Sequence, residues 1–419
     1  MCRLAAWSAA WGLILTTVIW SAPLSETMKL PSGRPSLSVY PSALSLREPA
    51  PEFPLSSSRD DFVGDLACRP CHSGEFTSYL ATAHHRTSRL PDHASVAGSF
   101  ARGDDVLTTF NPELTFHMEV RDGRFYETAI RRKDGRTTRR TERIDLVIGS
   151  ATKGQTYLYW KQNGLFELPV SYWTQLHRWV NSPGYVDGSA DFERPVLPRC
   201  LECHASYFQP ITSSISENHY DKDSITLGIS CERCHGPAQE HVERHSKNSA
   251  GPGPEKPMPP LGLSRERQID ICAQCHGGAG EPIAPAFLFR PGDTLSQFIR
   301  LQPPTATDRL DVHGNQVNLL ERSRCFQGSS EMSCSTCHDP HIPERPAADY
   351  SNKCVGCHRV DQCGIVRKLG TPTASNCIDC HMPVQPSNML VVDTENSRLP
   401  AHVRNHWIRV YPNAPLPNR

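Results

Sequence analysis

Residues 231–235 read Cys231-Glu-Arg-Cys-His235, and the pattern Cys-x-x-Cys-His occurs seven times in the 419 residues. The other copies are Cys68–His72, Cys200–His204, Cys272–His276, Cys334–His338, Cys354–His358 and Cys377–His381. This spacing is the attachment signature of a c-type haem, in which two thiols add across the porphyrin vinyl groups and the adjacent histidine ligates the iron. The repetition predicts seven covalently attached haem c groups.

The motifs assign a role to most of the cysteines. The predicted thioether cysteines are Cys68, Cys71, Cys200, Cys203, Cys231, Cys234, Cys272, Cys275, Cys334, Cys337, Cys354, Cys357, Cys377 and Cys380. The predicted proximal iron ligands are His72, His204, His235, His276, His338, His358 and His381. Zinc is the competing interpretation, because Cys-x-x-Cys pairs also occur in zinc sites. The pairs do not combine into four-ligand modules, and a zinc site does not require a histidine directly after every second cysteine.

The first 22 residues predict export. Arg3 precedes an uncharged run from Leu4 to Trp20, which is typical of a secretory signal peptide; an uncleaved N-terminal anchor is the alternative. Residues 23–61 are rich in Pro and Ser and predict a tether without fixed structure. The expected location is periplasmic or extracellular, with membrane attachment only through the N-terminal segment.

Charge and hydropathy limit the function classes. Lys+Arg and Asp+Glu both number 44, which gives no signature of nucleic-acid binding. Hydrophobic residues make up only 38% of the chain, which is too few for a conventional core around each motif. We therefore expect a mainly α fold with much irregular structure, in which stacked haems form much of the apolar core.

Motif spacing predicts the domain organisation. Residues 62–100 hold the first haem-binding segment, residues 200–410 hold a six-haem cytochrome region, and residues 411–419 form a tail. Between them, residues 101–199 contain Asp122-Gly123, Asp134-Gly135 and Asn163-Gly164, which are hairpin turn signals between strand-like stretches. We expect a small antiparallel β insertion there.

Twelve histidines lie outside the motifs and can supply second axial ligands. A haem with two imidazole ligands suits electron transfer, whereas an open haem can bind a small substrate. The pair His402 and His406, four residues apart, could share one helical face. The distal candidates are His84, His85, His241, His313, His341, His402 and His406.

Four segments resemble exported multihaem cytochromes of the c-552/c-554 type: Cys68-Arg-Pro-Cys-His-Ser-Gly-Glu-Phe-Thr-Ser-Tyr, Gly228-Ile-Ser-Cys-Glu-Arg-Cys-His-Gly-Pro, Ser333-Cys-Ser-Thr-Cys-His-Asp-Pro-His and Cys377-Ile-Asp-Cys-His-Met-Pro. The likeness covers roughly residues 62–410 and implies electron transfer. By this resemblance, distal ligands are expected at His84, His241, His313, His341 and His406. A lysine-ligated motif, Cys-x-x-Cys-Lys, is absent from the sequence.

The sequence favours an electron-transfer protein over a catalyst. Its expected partners are other cytochromes or a membrane quinol-oxidising complex, and nucleic acid is not expected. The second hypothesis is an oxidoreductase with one open haem acting on a small nitrogen or sulfur oxyanion. A third is a haem-bearing sensor or scaffold whose β element binds a partner.

Cys2, Cys325 and Cys363 remain outside the motifs, and Cys2 lies in the predicted signal. Since exported thiols persist as disulfides in oxidising compartments, we predict a Cys325–Cys363 disulfide. Mass spectrometry after alkylation without reduction should find both residues unmodified. Alkylation of both without reduction would show two free thiols instead.

Overall fold

Short helical turns and antiparallel hairpins alternate along this chain. The computed structural model describes residue 59 and residues 61–212, 214–246, 258–301, 310–370 and 375–412, all within the unit Phe53–Arg419. The predicted signal or anchor over residues 1–22 lies outside the described residues. So does the predicted tether over residues 23–61, apart from Arg59 and Asp61, and most of the predicted tail.

The helices of the described part are short, from four to twelve residues. They are α1 Ser73–Tyr79, α2 Pro198–Glu202, α3 Cys231–His235, α4 Gln239–Ser246, α5 Arg265–His276, α6 Gln316–Glu321, α7 Arg324–Gln327, α8 Ala347–Val355, α9 Gly364–Leu369 and α10 Cys377–His381. Single 3-10 turns lie at Asp65–Ala67, His85–Thr87, Thr174–Leu176, Leu295–Gln297, Cys334–Thr336 and Val360–Gln362.

The strands are concentrated between the first and second motifs but continue beyond them. They are β1 Ser88–Arg89, β2 Val106–Thr108, β3 Leu114–Arg121, β4 Arg124–Lys133, β5 Arg136–Arg143, β6 Leu146–Ile148, β7 Gly154–Lys161, β8 Gly164–Glu167, β9 Val170–Trp173, β10 Arg178–Asn181, β11 Arg194–Pro195, β12 Ala205–Pro210, β13 Tyr220–Leu227, β14 Glu281–Pro282, β15 Ile299–Arg300, β16 Val384–Asp393 and β17 Arg398–Arg404.

The predicted hairpin turns join paired strands. Asp122-Gly123 connects β3 to β4, and Asp134-Gly135 connects β4 to β5, in a four-stranded antiparallel sheet ordered β2-β3-β4-β5. Both residues of each turn have positive φ, which is the backbone that Asp-Gly favours in two-residue hairpins. The third turn is displaced by one residue: Lys161 pairs with Gly164, so the loop is Gln162-Asn163.

A second sheet packs on the first and closes a conventional hydrophobic core. Its strands follow the order β1-β6-β7-β8-β11, with β9 pairing with β7 and β10. Alternate residues of β3, Leu114, Phe116 and Met118, point inward and are almost fully buried. They share one cluster with Tyr157 and Trp179 of the second sheet. Tyr157 and Trp179 are therefore core residues.

Two later hairpins attach to the second sheet. Phe208 and Tyr220, on β12 and β13, are buried together with Leu158 and Leu165. The hairpin β16–β17 pairs its strands antiparallel and buries Val392 and Ala401 against Trp173 and Val180. These contacts connect the β-rich region to the segments that carry the later motifs.

The expectation of a mainly α fold is wrong. Of the described residues, 26% are helical and about 28% lie in strands, distributed over several sheets. The error has a physical cause, because a Cys-x-x-Cys-His motif requires only one helical turn. The chain between the motifs can pair as hairpins, and the two packed sheets bury a core of their own without haem.

Glu127 on β4 provides a pH-dependent test of this core. Its side chain is 1% exposed, and burial raises its pKa well above its ordinary value. The folded protein keeps the carboxyl proton while the unfolded chain releases it, so stability falls as the pH rises above about 4. Glu127→Gln should therefore raise the Tm at pH 7 and leave it nearly unchanged at pH 4, as measured by circular dichroism.

The matched control is Glu119→Gln on the neighbouring strand β3. The Glu119 carboxylate is partly exposed and pairs with Arg121, so its loss should leave the Tm almost unchanged at either pH. A lower Tm for Glu127→Gln at pH 7 would show that the ionised carboxylate stabilises the fold.

Candidate haem-binding cavity

Each motif folds as a single helical turn. The backbone N–H of His72 donates to the carbonyl of Cys68 at 2.9 Å, and His338 and His358 bond in the same way to the first cysteines of their motifs. Positions i, i+3 and i+4 of a helical turn lie on one face. Both cysteines and the histidine of each motif are thereby presented together, as covalent attachment and iron ligation require.

All seven motifs line one cavity of about 3720 Å³. Each contributes its histidine and at least one cysteine to the wall. Since a single bound organic group fills roughly 300–1,000 Å³, this cavity is large enough for several porphyrins. The non-motif histidines in the wall are His84, His241, His245, His313, His341 and His406.

Four motif histidines face a second imidazole across the cavity. The ring centres are separated by 6.4 Å in His72–His241, 6.3 Å in His276–His84, 5.7 Å in His235–His341 and 6.1 Å in His338–His406. Two imidazoles bound to opposite sides of one metal ion, with metal–nitrogen bonds of about 2.0 Å, have ring centres roughly 6 Å apart. Each of the four pairs therefore has room for one iron between its two rings.

The remaining three motif histidines differ from these. His204 and His313 both line the cavity, and the pKa of His204 is lowered by burial and, less strongly, by His313. In the part of the chain that the structure describes, neither His358 nor His381 stacks on a second imidazole.

Two of the distal candidates lie away from the cavity wall. The ring of His85 packs edge-on against Tyr79 at 4.9 Å. His402 is exposed on β17, opposite Pro386. The helical face expected for His402 and His406 does not form, because Arg398–Arg404 is a strand and His406 follows its end. Only His406 reaches a motif histidine.

Several of the cavity histidines are neutral at physiological pH. Their rings face the cavity and keep some exposed surface, but the surrounding protein removes much of their water. This desolvation, together with neighbouring imidazoles, lowers the pKa of His84, His204 and His406 to about 4. Neutral imidazole is the form that binds a metal ion.

Hydrogen bonds at Nδ1 orient four rings so that Nε2 is free to face the cavity. Such bonds fix the tautomer and direction of a metal-binding imidazole. The acceptors are the carbonyl of Pro259 for His235 (2.5 Å), the carbonyl of Arg409 for His381 (3.0 Å), the carbonyl of Arg404 for His406 (3.1 Å) and the carboxylate of Asp339 for His341 (3.0 Å).

The first and third motifs are joined by carboxylates. Glu232, inside the third motif, accepts hydrogen bonds from the backbone N–H groups of Val63 and Gly64 at 3.0 and 2.8 Å. In return, Asp65 accepts from the backbone N–H of Cys231 at 2.8 Å. Neither carboxylate was predicted from the sequence, because attachment chemistry leaves the two x positions and the residues before a motif unspecified.

Other motifs also meet directly. The sulfur of Cys203 lies 3.7 Å from the carbonyl of Gln274, which brings the second motif to the fourth, and α5 contacts the 3-10 turn Cys334–Thr336, which brings the fourth motif to the fifth. The backbone N–H of Cys377 donates to Ser351 Oγ on α8 at 2.9 Å, which brings the seventh motif to the sixth. The attachment sites therefore lie in neighbouring groups around the one cavity.

The two cysteines of the predicted disulfide lie near the later motifs. Cys325 is on α7 and Cys363 directly precedes α9; both are partly buried and are free thiols in this structure. The disulfide stays a prediction.

No helix within the described residues is long and apolar enough to cross a membrane.

Multihaem cytochromes are among the known proteins to which this chain is similar. The model of the family described as "Cytochrome c554 and c-prime" matches residues 178–236, which hold the second and third motifs. The chain is 24% identical over 163 residues to the "C-type polyheme cytochrome OmcC" of Geobacter sulfurreducens, covering 38% of this chain and 20% of that protein. It is 24% identical over 200 residues to the "Multiheme cytochrome MtrA" of Shewanella baltica, covering 44% and 45%.

A third similarity covers more of the chain. The "Dissimilatory sulfite reductase MccA" of Wolinella succinogenes is 21% identical over 397 residues, covering 78% of this chain and 51% of that protein. The chain thus spans between a fifth and about half of the length of these curated relatives. The crystal structure of the outer cell wall cytochrome OcwA superposes with a TM-score of 0.52 at 16% identity, covering 83% of this chain and 80% of that one, and supports a shared fold.

Proposed function

We propose that this chain is a multihaem c-type cytochrome that binds seven haem c groups and transfers electrons between redox partners through mostly bis-histidine haems. The observation that carries the proposal is the set of four histidine pairs at 5.7–6.4 Å, each of which fits one iron. We assign His313 to His204 as a fifth pair, since both residues line the same cavity.

Covalently attached haem supplies one-electron redox chemistry, and two imidazole ligands keep its iron six-coordinate. The protein's own residues would hold the haems and orient their ligands. The one-turn motifs hold both thioether cysteines and the first imidazole, and distant segments bring His84, His241, His341 and His406 to the opposite side. Carbonyl groups such as those of Pro259 and Arg404 hold the rings in place. This rigidity favours rapid electron transfer with little rearrangement.

Contacts between motifs support transfer among neighbouring sites. The first motif meets the third, the fourth meets the second and fifth, and the sixth meets the seventh. The expected partners are other exported cytochromes or a membrane quinol-oxidising complex, and the expected location is periplasmic or extracellular. The predicted N-terminal signal or anchor and the similarity to an outer cell wall cytochrome support that location.

A second candidate function is reduction or oxidation of a small sulfur or nitrogen oxyanion at one open haem. Two observations favour it. His358 and His381 do not stack on a second imidazole in the described residues, and the relative that matches 78% of this chain is named a dissimilatory sulfite reductase. An open iron at either motif would leave room for a small ligand.

The first prediction from this proposal concerns haem number and spin state. Purified holoprotein should contain seven covalent haems per chain, and EPR of the oxidised form should be dominated by low-spin ferric signals, because paired imidazoles give six-coordinate iron. Pyridine haemochrome assay with iron analysis and protein mass gives the count. Fewer than seven haems would contradict it, and a substantial high-spin population would favour the enzyme.

A second prediction separates His406 from His402. His406→Ala should remove one ligand from the iron held by His338 and add a high-spin ferric EPR signal, since the two rings lie 6.1 Å apart. The matched control His402→Ala, at an exposed position four residues earlier on β17, should leave the spectrum unchanged. An unchanged His406→Ala spectrum, or equal changes in both variants, would refute this ligand assignment.

A further inference from the structure

Buried charges lie between the cysteines of the haem motifs. Glu202 occupies the position before Cys203 in the second motif, and Arg233 occupies the same position in the third motif. Arg199 precedes Cys200 on α2. The Arg199, Glu202 and Arg233 side chains are only 13%, 4% and 7% exposed. Attachment chemistry requires none of them.

These three residues form one ion-pair cluster, here called the Arg-Glu-Arg cluster. Arg199 Nη1 lies 2.8 Å from a carboxylate oxygen of Glu202, and Arg233 Nη2 lies 3.8 Å from the other. The backbone N–H of Phe287 also donates to Glu202, at 2.9 Å. Two guanidinium groups thus share one carboxylate, and the cluster carries an excess positive charge.

The cluster touches three attachment sites. Arg199 Nη2 donates to the carbonyl of Gln274, between the cysteines of the fourth motif, at 2.7 Å. Arg233 donates to the carbonyl of Glu202 at 3.2 Å, which joins the third motif to the second. The sulfur of Cys275 lies 3.9 Å from that same carbonyl. The charges are therefore next to the thiols that would carry the haems.

We propose that the Arg-Glu-Arg cluster is an electrostatic control element for the haems attached at the second, third and fourth motifs. Arg199 and Arg233 raise their reduction potentials, and Glu202 lowers them. The inference rests on the proposed function, in so far as it requires redox-active haems at these motifs. It assigns Arg199, Glu202 and Arg233 a role beyond packing.

The sign follows from charge. An oxidised haem carries one more positive charge than a reduced haem, so a nearby guanidinium destabilises the oxidised form and a nearby carboxylate stabilises it. Because the cluster is buried, salt and water screen it less than they screen a surface charge. One unpaired unit charge should change the reduced-to-oxidised ratio of an adjacent haem, at fixed potential, by roughly three- to tenfold.

A purely structural role makes a different prediction. Buried ion pairs often contribute little net stability, and loss of either partner weakens the same packing. Removing the charge of Glu202 or that of Arg199 would then loosen the same site. Both variants would shift the reduction potentials in one direction, or both would lower the haem content. Opposite shifts are specific to the electrostatic role.

The experiment is a spectroelectrochemical titration of holoprotein, followed by visible absorption, with haem content determined for every preparation. Glu202→Gln should move part of the titration curve to more positive potentials, and Arg199→Gln should move it to more negative potentials. Arg199→Lys, which keeps the charge, should overlay the native curve. Arg359→Gln is the surface control: this guanidinium also adjoins a motif but is 75% exposed, so no shift is expected.

Shifts of the same sign in Glu202→Gln and Arg199→Gln, or no shift in either at full haem content, overturn the inference. If Glu202→Gln loses haem, the pair Arg199→Gln and Arg199→Lys still decides the sign, since Arg199 lies outside the motif. Failure of the proposed function is distinguishable: it appears in the native protein as a low haem count or as dominant high-spin iron, whatever the variants do.

Discussion

A Cys-x-x-Cys-His turn would supply the ligand on one side of a haem iron. The ligand on the other side would come from a different part of the chain. The helical turn places both cysteines and the histidine on one face, and nothing within the motif can reach the opposite face. His72 therefore faces His241 from α4, and His338 faces His406 from beyond β17. This need for long-range partners organises the cavity, since each pair ties together segments distant in the chain.

The protein has two kinds of interior. The packed sheets of residues 88–195 bury Phe116, Tyr157 and Trp179 in an ordinary hydrophobic core. The motif region combines a smaller apolar cluster around Ala273 and Phe289 with polar contacts, such as Glu232 with the backbone of Val63 and Gly64. The cavity wall mixes cysteine, histidine and aliphatic side chains, and the attached groups would add apolar contacts there.

Prediction from sequence succeeded where chemistry is local and failed where packing decides. The two Asp-Gly hairpins formed as their φ preferences require, and the resemblance to multihaem c-type cytochromes is confirmed. The mainly α fold class was wrong, because hairpins such as β16–β17 depend on contacts with distant segments. Val392 and Ala401 of that hairpin pack against Trp173 and Val180. The same error put His402 on a helix with His406.

The sequence by itself determined which groups the protein can hold, because Cys-x-x-Cys-His is a covalent requirement expressed within five consecutive residues. It also limited the distal ligands to twelve histidines. Only the tertiary structure decided which of these face a motif histidine, and which residues between the cysteines become buried charges. Those choices depend on contacts between segments distant in the chain, such as His72 with His241, and no local pattern encodes them.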